Sequence, residues 1–222
     1  MKNETKIFID FCLQNFEIKE ANIPNKYNSL PVCILDDIFS LRAKYETMTL
    51  KVVQRFANYF LKGDLSASGY RLEDFIRDID SLGSKKISFE ILKNMQMISN
   101  RQKLDVCYEI ARKLILLDIH DIEGFRNYHS DEILEIVLRS VKGVGDAAVN
   151  YLFMLAGDEN RVKPDVHIHR SLFDALGYEV SNEECQIIFR EAANELKKQY
   201  PFVTPAKLDN IVWKHYSGAK FY

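Results

Sequence analysis

Glycine and proline are scarce, 9 and 5 in 222 residues, which suits a chain made of helices joined by few tight turns. No stretch of sustained apolar–polar alternation argues for a sheet, and no internal repeat or low-complexity tract appears. No apolar run reaches bilayer-spanning length, the longest being interrupted by Asn150, so no membrane association is expected. Residues 1–20 are charged and lack an apolar stretch, so no export signal is expected either. Cys12, Cys33, Cys107 and Cys185 lie far apart and form no C-x-x-C pair. That supports neither a zinc site nor a redox motif, and scattered thiols fit a reducing, cytoplasmic setting. An excess of one charge is also missing. With a formal net charge of −2, any affinity for nucleic acid must come from local clusters.

What is present is helical periodicity. Residues 4–19 read as an amphipathic helix, 21–31 as a connector, and a new helix starts at Val32. Further helices are expected over Met48–Leu61, Leu72–Ile79, Phe89–Ile98 behind a Ser88 cap, and Asn100–Leu117. Asp118–His129 reads as a polar connector. Beyond Gly177, Ser181 and Glu184 form a capping-box pattern. Thr204-Pro205 opens a last helix that Gly218 ends, with Trp213 expected in the core. Basic residues outnumber acidic ones five to one over Arg42–Lys62 and seven to three over Lys85–Lys113. Each run reads equally as a DNA-facing patch or a solvated helix face.

The informative stretch is Ser130–Leu176. Ser130 can cap a helix whose buried face is Ile133, Leu134, Ile136, Val137 and Val141. Gly143-Val144-Gly145 then makes a turn in which glycines permit positive φ and leave N–H groups bare. Asp146 opens a helix, 147–156, apolar almost all round and therefore buried, with Gly157 placed to end it. Bare N–H groups beside a helix start are an anion site, with nucleic-acid phosphate an obvious ligand, although a G-V-G turn also serves as a plain αα-corner. Asp165 follows in Lys163-Pro164-Asp165-Val166-His167 and is a good N-cap for 166–176. The helix dipole favours an anion there. Such a carboxylate near bound phosphate could also stabilise a cationic sugar. His167 and His169, two apart on a helix, point away from each other and share no metal. Lys163, His169, Arg161 and Arg170 read either as DNA neighbours or as solvated surface.

Helix, G-V-G turn, apolar helix, loop and D-x-H at the next helix start resemble the helix-hairpin-helix DNA glycosylases of the endonuclease III type. The resemblance is strong over 130–176 and loose elsewhere. It implies that Lys142, Gly143, Val144 and Gly145 hold a DNA phosphate and that Asp165 acts on an extruded nucleotide. It makes His167 structural and brings the segment of Arg42 toward DNA, while Lys163 and His169 stay open between DNA neighbours and solvated surface. The chain departs from the family pattern at three points. Val141-Lys142-Gly143 stands where Leu-Pro-Gly is usual, Ala147 where bifunctional members carry a Schiff-base lysine, and the four-cysteine iron–sulfur loop is missing.

The expected fold is therefore all-α and two-lobed. Residues 32–141 form a bundle, 142–165 the turn, buried helix and catalytic loop, and 1–31 with 166–222 the second lobe, leaving hairpin and Asp165 at the cleft. The expected function is monofunctional excision of a damaged or mispaired base from double-stranded DNA, performed by a monomer. No cofactor is expected beyond a monovalent cation on the hairpin backbone. The alternative is a non-catalytic DNA-binding or lesion-sensing protein on the same fold.

Overall fold

The computed structural model describes residues 2–19 and 27–218, so most of the expected 21–31 connector lies outside the described residues. The chain is all-α among those residues, save for one short ribbon. In order come α1 (Asn3–Asn15), α2 (Leu30–Ser40), α3 (Leu50–Phe60), α4 (Leu72–Leu82) and the single turn α5 (Ser84–Lys86). Strands β1 (Met97–Ile98) and β2 (Arg101–Gln102) precede α6 (Lys103–Ile115), α7 (Ile122–Arg126), α8 (Asp131–Arg139) and α9 (Asp146–Ala156). The chain closes with α10 (Val166–Leu176), α11 (Asn182–Leu196) and α12 (Pro205–Ser217). It divides into two compact units, Asn25–Ala156 and Met1–Pro24 with Gly157–Tyr222. The hairpin turn and α9 thus belong to the larger unit, because α9 packs on α2.

In the larger unit α2 is central and meets α3, α4, α6 and α9. Its apolar residues from Leu30 to Phe39 are buried on every side, as an all-round apolar helix requires. Two carboxylates, Asp36 and Asp37, are buried with it. Asp36 accepts hydroxyl hydrogen bonds from Tyr27 and Tyr45 at 2.7 Å each and from Tyr151 at 3.2 Å. Those donors offset the cost of removing a carboxylate from water.

The helix expected over Phe89–Ile98 does not form. A π-helical turn, Ile87–Ile91, is stopped by Lys93 in left-handed backbone at φ 48°. Ser88 is buried and caps nothing there. The chain then reverses through Ser99 and Asn100, at φ 50° and 65°, into the antiparallel ribbon β1–β2 with Ile98 opposite Arg101. Two positive φ values match a type I′ hairpin turn. The acidic connector also holds the short helix α7, capped by Asp121 accepting the Gly124 N–H at 2.9 Å. On α8 the buried residues are Leu134 and Leu138, while Ile133 and Ile136 are exposed, so its apolar stripe is narrower than the sequence suggests.

In the smaller unit α1 packs against α10 and α11, and α12 against both of those. Phe8 meets Phe189 at 4.8 Å between ring centroids, and Cys12, Ile168, Leu172, Cys185, Leu208 and Val212 complete the core. Trp213 is half-buried at its edge, not inside. Caps close the helices as their residues predict. Ser181 and Glu184 form a reciprocal box, Thr204 accepts the Lys207 N–H at 3.3 Å, and Gly177 and Gly218 adopt left-handed backbone. Among the described residues no helix is long and apolar enough to cross a membrane.

Candidate active site

The hairpin turn is anchored by its valines and presents what lies between them. Val141 and Val144 are buried, and the Val144 N–H donates to the Val141 carbonyl at 3.0 Å. Lys142 and Gly145 are exposed. Positive φ is used at Gly143 alone, at 104°. A Cβ there would stand 3.4 Å from Ile98, so the β1–β2 ribbon packs directly beneath the turn. At Gly145 a Cβ would meet nothing within 4 Å, which leaves its backbone open to a ligand. The Asp146 carboxylate does not stand alone at the start of α9. Arg139 Nε donates to it at 2.9 Å while Arg139 Nη1 holds Glu135 at 2.6 Å. The Val141 and Gly145 carbonyls already accept N–H groups, from Val144 and Val149. Among the described residues no cluster of His, Cys, Asp or Glu could hold a metal ion.

Arg42, in the same unit, is exposed in left-handed backbone at φ 53°. The residues before it are fixed by Lys103, which the sequence counts among the surface charges of 85–113. Its side chain is instead buried and donates to the carbonyls of Leu41 at 2.6 Å and Phe39 at 3.1 Å and to Gln96 at 3.2 Å. Neighbouring Arg101 is engaged with Glu109 at 2.7 Å. Two residues of that basic run, Lys103 and Arg101, are therefore engaged within the fold. In the 42–62 run Arg55 donates to the Leu92 carbonyl at 2.9 Å, and Lys51 is exposed.

Asp165 lies in the smaller unit, half-buried at the N-terminus of α10, where its Oδ1 accepts the N–H groups of His167 at 2.9 Å and Ile168 at 3.2 Å. The loop before it is held along its length. Arg161 pairs with Asp158 at 3.2 Å, and the Ala206 N–H reaches the Glu159 carbonyl at 3.1 Å. Gln186 grips both backbone groups of Val162. Asp209 accepts the Lys163 N–H at 2.8 Å. Pro164 is buried and fixes the entry. The Lys163 side chain is half-buried, and His169 Nε2 is held by Asn182 Oδ1 at 2.8 Å.

Asp209 and Gln186 went unnoticed in the sequence, although a polar residue inside an apolar helix face, as at Leu208-Asp209 and Gln186-Ile187, is the signal that finds them. Burial first, then the Asp165 charge, holds the Asp209 carboxyl well above the usual aspartate range, against the opposing pull of the Lys163 N–H. The four thiols are buried, and desolvation pushes each above its ordinary value, so none is a nucleophile.

A family model described as a domain of unknown function (DUF8548) matches residues 8–217. No curated protein and no solved structure matches the chain.

Proposed function

The chain belongs to the DUF8548 family, and we propose that it is a DNA glycosylase that releases a damaged or mispaired base from double-stranded DNA. The observation that carries this reading is Asp165. It is a half-buried carboxylate presented at a helix N-terminus by a loop fastened at nearly every residue. Rigid presentation of one charge is what opposing a short-lived cation demands.

A base stacked in duplex is out of reach, so the nucleotide is extruded. The backbone at Gly145, which has open space around it, and exposed Lys142 beside it hold a backbone phosphate. As the glycosidic bond breaks, its electrons leave with the base and the sugar becomes an oxocarbenium ion. Asp165 opposes that charge and orients the water that adds to the anomeric carbon, and the proton this water loses ends on the departed base. The products are free base and an abasic site. Ala147 offers no amine, so the enzyme is monofunctional. It works as a monomer on the fold of the helix-hairpin-helix glycosylases, which the hairpin, the buried helix and the capping aspartate support.

The test is a panel of duplexes carrying oxidised, alkylated, deaminated or mismatched bases, with released base detected directly. Release from at least one is expected. Binding to lesion duplexes without release from any would make the protein a lesion sensor instead.

A further inference from the structure

The Lys163 backbone ahead of Asp165 is held through both its N–H and its carbonyl. Asp209, on the second turn of α12 and 6% exposed, accepts the Lys163 N–H at 2.8 Å. The Lys163 carbonyl in turn accepts the Asp165 N–H at 2.7 Å. Between them Pro164 has no N–H to offer and a fixed φ. We propose that Asp209 is the positioning residue for Asp165, fixing through the Lys163 N–H the tight turn from which the Asp165 side chain is presented. The consequence for base release rests on the glycosylase reading above; the turn itself does not.

Burial and the Asp165 charge favour the neutral acid at Asp209. The groups that face it are Asp165 and Lys163 from the loop and Cys185 from α11, whose thiol is itself raised by burial and by both aspartates. A neutral Asp209 still accepts the Lys163 N–H through its carboxyl oxygen. Its folded pKa lies above its unfolded one. The stability it contributes is therefore present below the ordinary aspartate range and is lost as pH rises through the folded value.

Asp209→Asn keeps an oxygen for the Lys163 N–H and cannot ionise. Asp209→Leu removes the acceptor. Wild type is expected to lose excision rate and thermal stability as pH rises through the Asp209 titration. Asp209→Asn should match wild type on the acid side of the Asp209 titration and lack both declines. Asp209→Leu should slow excision by about 10²-fold, the cost of a misplaced catalytic group, and speed amide exchange at Lys163. The proposal is overturned if the wild-type and Asp209→Asn stability profiles run parallel with pH. It is equally overturned if Asp209→Leu leaves Lys163 amide exchange unchanged. Amide exchange and stability are read without substrate. A wild type that releases no base from any lesion overturns the glycosylase reading alone.

Discussion

Asp165 caps a helix and presents a charge, and asparagine separates the two. Asparagine keeps the oxygen that accepts the His167 and Ile168 N–H groups. Asp165→Asn is therefore expected to fold and bind DNA normally while base release slows by about 10²–10³-fold. Single-turnover release from an active lesion duplex measures it, and an unchanged rate takes Asp165 out of the mechanism. The two hairpin glycines make a second residue-scale contrast. Gly145 has no positive φ and open space around it. Gly145→Val should leave the melting temperature unchanged and weaken binding to undamaged and lesion duplexes alike, because phosphate contacts position without specifying. Gly143, at φ 104° and 3.4 Å from Ile98, has no such room. Valine there should cost about 1–3 kcal/mol of stability through backbone strain alone, read by urea unfolding. Full DNA affinity in a folded Gly145→Val protein would reduce the turn to an αα-corner.

At the scale of elements, the proposed glycosylase reading makes the α8–turn–α9 hairpin the place where the reaction type is tested. A bifunctional glycosylase forms a Schiff base between an amine and the sugar. The residue at that family position is Ala147, and the hairpin's one lysine, Lys142, stands exposed on the other side of the turn, in line with a phosphate contact. Borohydride added during reaction should trap no protein–DNA adduct, and strands should break only after alkali. An adduct that vanishes in Lys142→Ala would make Lys142 the nucleophile and the enzyme a lyase. The hairpin also depends on an element the sequence hides. The β1–β2 ribbon under Gly143 leads directly into Lys103, which fixes the end of α2 ahead of Arg42. One short ribbon thus links two of the segments proposed to approach DNA.

For the whole molecule the governing quantity is a formal net charge of −2. DNA affinity should fall with salt along a shallow slope, because few phosphates are neutralised and few counterions released. Several basic residues are withdrawn from that role, Lys103 by burial, Arg101 by Glu109 and Arg139 by Glu135 and Asp146. Charge reversal at Lys51 with Arg55, or at Lys85 with Lys86, tests what remains. Each pair is expected to lower affinity and flatten the salt slope, read by fluorescence anisotropy across a salt series. If neither pair alters binding, the runs are solvated faces and DNA is held elsewhere.

Local chemistry made much of this legible from the chain alone. Ser130, Asp165, Ser181 and Thr204 cap the helices that follow them, and Gly177 and Gly218 end theirs, because a cap forms within a few residues of the helix end it satisfies. The helical class follows from apolar periodicity, and the buried character of α9 from its being apolar almost all round, both of them local properties of the chain. Other features depend on partners that only folding brings together. Lys103 reads as a surface charge until its acceptor 64 residues away at Phe39 is in place. Asp209 is one polar residue in a helix until it meets the Lys163 N–H, 46 residues earlier. The ribbon at 97–102 was mistaken for helix because a short apolar run has no distinguishing period. Its conformation is set by left-handed residues at Lys93, Ser99 and Asn100 and by packing beneath Gly143. The sequence by itself determined where α8, α10, α11 and α12 start, where α10 and α12 stop, and which residue caps α10. The tertiary structure decided which charges stay free for a ligand, because desolvation and hydrogen bonding act through space and not along the chain.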